Sequence, residues 1–283
     1  MQTLRRHYPE YLMEAACLGI FMFSASVITA LIQHPTSPIR QAIAEPLLRR
    51  FIIGISMGLI AIAIIYSPWG KQSGAHLNPC VTFTFFRLGK VHRLDVFFYI
   101  VAQCVGGLLG VLIAARVLKD AMFSQAKSLL ADSTVNYIVT VPGSGGAGVA
   151  FLAELLISFG LMTMILVVTN HAKLSRFTGI FSGILVATYI TLEAPLSGMS
   201  MNPARTLASA IAAQNWTAIW VYFTAPLLGM LLAAELYVRF KGLASVHCAK
   251  LNHHTHKRCI FRCGYRQGRN NGQPTLSDQL PHL

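Results

Sequence analysis

The chain has 283 residues, 54% of them hydrophobic and 12% charged, with a net charge of +13 and a mean hydropathy of +0.55. Such a composition excludes an ordinary water-soluble domain. Most of the positive charge is placed on one side of the apolar runs, which argues against nucleic acid as a partner and for membrane topology instead.

A helix that crosses the hydrocarbon layer needs ~20 mostly apolar residues. Six windows meet or approach that length: Tyr11–Ile32, Phe51–Ser67, Val96–Leu118, Val149–Thr169, Phe177–Leu192 and Ala218–Val238. The first is too long for a signal peptide, carries Glu14 and lacks a small-residue cleavage site. The second and fifth are short, so Arg49, Arg50 and Arg176 are expected to snorkel to the interface.

Six spans put both termini on one side. If that side is cytoplasmic, it collects Arg5, Arg6, Lys71, Arg87, Lys90, Arg93, Lys173, Arg176 and the basic residues from Arg239 onward. The asymmetry obeys the positive-inside rule. The expectation is an integral multi-pass protein of the cell membrane, plasma or inner, with both termini cytoplasmic and the lipid bilayer as its surroundings.

Two words repeat. Ser73-Gly74-Ala75-His76-Leu77-Asn78-Pro79-Cys80 follows the second window, and Ser197-Gly198-Met199-Ser200-Met201-Asn202-Pro203-Ala204 follows the fifth. Tyr11-Leu12-Met13-Glu14 opens the first window and Phe151-Leu152-Ala153-Glu154 the fourth. The chain therefore reads as a duplication: residues 1–10 as a cytoplasmic N-terminus, 11–118 as the first repeat, 119–148 as an inter-repeat loop, 149–238 as the second repeat and 239–283 as a basic, His/Cys-rich tail. Three spans per repeat is an odd number, so the two halves face opposite ways.

Asn favours a helix N-cap and Pro its first turn. Short helices over 78–88 and 202–213 would each rise ~17 Å, about half the membrane. Neither crosses alone. Entering from opposite faces, they meet near the middle, and the irregular backbone leading into them is tolerated only along a polar cavity. The fold class is thus an all-α membrane protein, with six transmembrane helices plus two re-entrant half-helices in an inverted-topology repeat.

The paired Asn-Pro-Ala/Cys words, the Ser-Gly-Ala-His before the first, Arg205 after the second, and Glu14 with Glu154 resemble the aquaporin, or major intrinsic protein, family over about residues 8–240. The resemblance implies a passive channel, not an enzyme, carrying water or a small neutral solute and needing no cofactor, and it implies a homotetramer with one pore per subunit. It implies a pore centre of Asn78, Pro79, Cys80, Asn202, Pro203 and Ala204, and an outer constriction of Met57, Ile190, Met199 and Arg205. It assigns loop-bracing to Glu14 and Glu154, and His76 is read as bracing too.

The fillings depart from the water-selective pattern, which places an aromatic residue and a histidine at the constriction. Ile190 stands in the histidine's place. Thr206 follows the Arg where glycerol-type members have Asp, and Ala208-Ser209 replaces a frequent Gly-Pro. The permeant stays open among water, ranked first on family frequency, ammonia-like molecules, small polyols and hydroxides. A coupled transporter and a closed structural protein are the alternatives. Cys80 is either a small buried residue that narrows the pore slightly, or a thiol reactive toward mercurials because it lies at a helix N-terminus.

Cys17, Cys80 and Cys104 fall in the membrane part and Cys248, Cys259 and Cys263 in the tail; a reducing cytoplasm predicts no structural disulfide. The tail also carries His247, His253, His254 and His256, a supply suited to zinc or another transition metal. The cysteine spacing matches no familiar structural zinc pattern, so a disordered basic tail is the expectation.

Overall fold

A computed structural model describes residues 2–120 and 128–265. Among the described residues, six helices are long and apolar enough to cross a membrane. In chain order the helices are α1 (Gln2–Gln33), α2 (Pro38–Ala42), α3 (Pro46–Tyr66), α4 (Pro68–Ser73), α5 (Pro79–Arg87) and α6 (Arg93–Asp120). The second half holds α7 (Gly146–Thr169), α8 (Thr178–Leu192), α9 (Ala194–Ser197), α10 (Pro203–Ala213) and α11 (Ile219–Lys241). The series α1, α3, α4, α5, α6 has its counterpart in α7, α8, α9, α10, α11. The first series enters from the face that carries the start of α1 and the segment after α11, the tail face, and the second from the far face.

Helix starts follow local chemistry. Glu45 caps α3 by accepting from the Leu47 N–H at 3.1 Å, and Ser67 caps α4 by accepting from the Gly70 N–H at 3.0 Å, each with Pro in the first turn. The expected N-terminus of residues 1–10 is not a separate segment. α1 runs through Pro9 and extends about two turns beyond the apolar window, with Glu10 fully buried. The glycines Gly146 and Gly148, expected in the inter-repeat loop, open α7.

Helix packing repeats with the sequence. α1 lies along α6 and α7 along α11, while α3 and α8 pair across the two repeats. These contacts are backbone-close. A Cβ on Gly106 would lie 2.0 Å from the Ala15 carbonyl oxygen, and one on Gly229 would lie 2.3 Å from that of Leu155. Gly58 and Gly183 face each other in the same way across α3 and α8. Within lipid there is no hydrophobic drive between helices, so such small residues let van der Waals contact hold them.

Of the arginines expected to snorkel, Arg49 and Arg50 bind loop carbonyls instead, while Arg176 is exposed. Arg49 is buried and donates to the Ile43 and Ala44 carbonyls at 2.6 and 2.8 Å and to Gln33 Oε1 at 3.0 Å, tying down the loop before α3. Arg50 donates to the Thr191 carbonyl at 3.2 Å and borders the central cavity. Arg176 stacks over Phe177. The short loops leave unpaired carbonyls, and a guanidinium with five donors satisfies them at less cost than it reaches water.

The 239–283 segment also differs from the expectation of a disordered tail. α11 continues to Lys241, and residues up to 265 then fold back over the tail face, burying Val246, Leu251 and Phe261. Residues 266–283 lie outside the described part of the chain.

Gly106→Ala should destabilise the helix bundle by roughly 1–3 kcal/mol, because the backbone of α1 has to move. Gly148→Ala, where a Cβ meets nothing within 4 Å, should be neutral or stabilising by a few tenths of a kcal/mol. Thermal unfolding midpoints of the two variants in detergent check the contrast.

Candidate functional site: two opposed half-helices

Each re-entrant word folds by the same local rules. Gly74 (φ 103°) and Gly198 (φ 81°) end α4 and α9 in the left-handed region, which only glycine enters freely. The chain then zigzags. Ala75, Leu77, Met199 and Met201 all take positive φ values between 51° and 56°, a conformation costing of order 1–2 kcal/mol per non-glycine residue. An extended Asn next caps each half-helix: Asn78 Oδ1 accepts from the Cys80 N–H at 2.8 Å, and Asn202 Oδ1 from those of Ala204 and Arg205 at 3.1 and 3.3 Å.

Two buried acids hold this strained backbone. Glu14 accepts from Ser73 Oγ (2.8 Å), the His76 N–H (3.0 Å), the Leu77 N–H (2.7 Å) and Gln103 Nε2 (3.0 Å). Glu154 accepts from Ser197 Oγ (2.6 Å) and from the N–H groups of Ser200 and Met201 (both 2.7 Å). Both carboxylates have no exposed surface. Tyr99 and Tyr222 complete the frame, donating to the Ser73 and Ser197 carbonyls at 2.6 and 2.7 Å.

The two half-helices meet tip to tip. Asn78 Nδ2 donates to the Met201 carbonyl and Asn202 Nδ2 to the Leu77 carbonyl, each at 2.7 Å. An amide NH2 has two hydrogens. One is spent on this cross-link, and the other is free to face the cavity that both asparagines line.

That cavity, of about 400 Å³, runs from Gln33 and Thr134 near the far face, past the half-helix tips, to Leu251 at the tail face. Its wall holds Met57, Ile190, Met199 and Arg205 together, with Ile53 one turn before Met57. Arg205 is steadied by donating to the Ile138 carbonyl at 2.7 Å. Pro203 and Ala204 are buried inside the half-helix start.

Cys80 does not line the cavity and is only 2% exposed. It packs in the core beside Val81 and Phe85, so neither narrowing of the pore nor easy thiol access follows. The helix turn explains this: Asn78 faces the cavity, and two residues on, ~200° around the helix, the side chain faces away.

His76 is held on four sides. Nδ1 lies 3.0 Å from Thr82 Oγ1 and Nε2 lies 2.8 Å from the Ala249 carbonyl, while its ring stacks between Phe85 and Phe261. Of the tail residues, Cys248, His253, Cys259 and Cys263 converge, their ligand atoms all within 4.8 Å of one another. His247, His254 and His256 stand outside that group. Sequence reading missed Leu251, Ile53, Thr82 and Gln103. Only Gln103, a polar residue inside an apolar span, carried a signal.

Six spans and two opposed half-helices around one polar-centred cavity define a multi-pass membrane protein of the pore-forming class. Residues 5–237 match the family model for the major intrinsic protein family. The chain belongs to that family, whose members are passive channels, not enzymes.

The chain is 37% identical over 188 residues to a probable aquaporin NIP-type of Nicotiana alata, covering 65% of this chain and 64% of the relative. It is 41% identical over 187 residues to aquaporin NIP6-1 of Arabidopsis thaliana, covering 66% and 56%. It is 34% identical over 229 residues to aquaporin NIP2-2 of Zea mays, covering 79% and 73%. The matched region thus spans less than two thirds of the first two relatives. An aquaglyceroporin of Plasmodium falciparum has the same fold, with a TM-score of 0.67 at 22% identity, covering 82% of this chain and 95% of that one.

Glu154→Gln should cost about 1–3 kcal/mol of stability, since it turns an amide donor toward backbone N–H groups that lose their acceptor. A lower thermal midpoint in detergent is the readout. Cys80→Ala should leave any mercurial inhibition of flux unchanged; loss of inhibition in that variant would contradict the buried placement of the thiol.

Proposed function

We propose that the chain is a passive channel for water and small uncharged solutes, with the pore centre at Asn78 and Asn202 and the selectivity constriction at Met57, Ile190, Met199 and Arg205. The observation that carries the reading is the cross-link of the two asparagines at the half-helix tips. It fixes two donors at one depth of the cavity. A permeating oxygen accepts from both, so it cannot hand a proton along the file at that point. Both half-helices also aim their positive dipole ends there, and Arg205 adds a fixed positive charge, so cations are repelled.

The constriction is built from two methionines, an isoleucine and one arginine. It offers few donors and a flexible apolar wall. Such a rim strips water less efficiently than a histidine-bearing one, and it favours permeants that carry their own apolar surface, such as small polyols. The names of the plant and Plasmodium relatives are compatible with both permeant types. Basic residues on the tail face support a cytoplasmic tail, and the family resemblance supports a homotetramer with one pore per subunit.

Stopped-flow shrinkage and re-swelling of proteoliposomes tests the reading. Water flux, polyol flux or both, without saturation and without ion dependence, is the expected result; saturable, ion-driven uptake would refute it. Met57→Ala combined with Ile190→Ala should raise the polyol-to-water flux ratio by roughly tenfold, the equivalent of about 1.4 kcal/mol at the constriction.

A further inference from the structure

Cys248, His253, Cys259 and Cys263 come together below the tail-face mouth of the cavity. Cys248 Sγ and Cys259 Sγ are 3.6 Å apart, and Cys263 Sγ lies 3.0 Å from His253 Nε2. The sulfur separation is far too long for a disulfide, whose S–S bond is ~2.05 Å. It is close to the ~3.8 Å that tetrahedral geometry gives two sulfurs bound to zinc at ~2.3 Å. The three cysteines are at most 7% exposed. Three thiols and an imidazole are a complete ligand set for a closed, four-coordinate structural zinc.

The surroundings fit a metal-bound form. Zinc with three thiolates carries one net negative charge, and the Lys250 ammonium, on a side chain 2% exposed, is buried among these residues and donates to the Arg258 carbonyl at 2.7 Å. A buried lysine is expensive without anions nearby; Glu10 is one such anion, and a thiolate-bound zinc would supply a second. The loop also closes on itself, the Gly264 N–H donating to the His247 carbonyl at 2.7 Å. A segment this short has no apolar core of its own, and a metal is one of the few devices that folds such a piece.

The folded loop covers the cavity mouth. The Leu251 N–H donates to the Gly74 carbonyl at 3.1 Å, and its side chain lines the cavity. Ala249 and Phe261 hold the His76 ring. Arg258 grips Glu10 of α1, the Arg262 N–H reaches the Lys90 carbonyl at 2.9 Å, and the His247 N–H reaches Asn170 Oδ1 at 2.8 Å. The loop therefore touches both repeats around the opening.

We propose that Cys248, His253, Cys259 and Cys263 bind one zinc ion, and that this zinc holds the tail as a cap over the tail-face mouth of the pore. Binding converts three thiols to thiolates and releases their protons to solvent. The metal site stands on its own geometry; the effect on flux rests on the channel reading above.

Elemental analysis of the purified full chain should give one zinc per polypeptide, falling to near zero in Cys259→Ser and in Cys263→Ser and staying at one in Cys104→Ser. Cobalt(II) exchanged into the site should show thiolate-to-metal charge-transfer absorption with the strong visible bands of a tetrahedral centre. Zinc below about a tenth of an equivalent, or full zinc in Cys259→Ser, overturns the site. In proteoliposomes, removing zinc with a chelator should raise flux severalfold in the wild-type chain and leave Cys259→Ser, already high, unchanged. Flux that is present but indifferent to zinc overturns the cap. No flux under any condition, with zinc still bound, refutes the channel reading and leaves the metal site standing.

Discussion

Backbone hydrogen bonding inside the membrane is the constraint on which this molecule depends. Residues 75–77 and 199–201 run through the middle of the bundle without helical or sheet partners. Several kcal/mol would be lost for each amide left bare in hydrocarbon. Glu14 and Glu154 meet that demand with carboxylates, the only side chains that accept from three or four donors at once. With the N–H groups engaged by the two acids and by the hydroxyls of Ser73, Ser197 and Ser200, the cavity is left to the carbonyls and the asparagine amides.

The second requirement is proximity. A side chain can brace a loop only if its helix lies close to it, and in this bundle closeness comes from glycines where backbones touch: Gly106 against Ala15, Gly229 against Leu155, Gly58 against Gly183. The first two lie in equivalent pairs of the two repeats and set the distance from Glu14 and Glu154 to their loops. The third joins the repeats beside Met57 and Ile190. Packing and pore shape are thus decided by the same few positions.

Much of this is legible in the sequence because its signals are local. Asn before Pro marks a cap, and apolar length marks a span. The two words and two acids, read at fixed spacing, are enough to place both half-helices within a residue of their observed ends. Where the reading fails, the deciding contacts are distant in sequence. Nothing local shows that Arg49 will bind loop carbonyls or that Cys80 will turn into the core, and no spacing rule unites Cys248, His253, Cys259 and Cys263. The tail has the composition of a solvated segment, and no local signal shows that its backbone will meet Gly74, His76 and Lys90 on the tail face.

The anchoring of that tail orders events in time. Arg258 holds Glu10 and reaches the Arg6 carbonyl, joining one of the last parts of the described chain to one of the first. During synthesis the half-helices and both repeats emerge before residues 246–265 do. The bundle therefore closes around an uncovered opening, and the covering segment arrives after the passage is built. Every residue that lines the cavity lies at or before Arg205 except Leu251, so the covering segment adds a closure to a wall that the earlier chain already supplies.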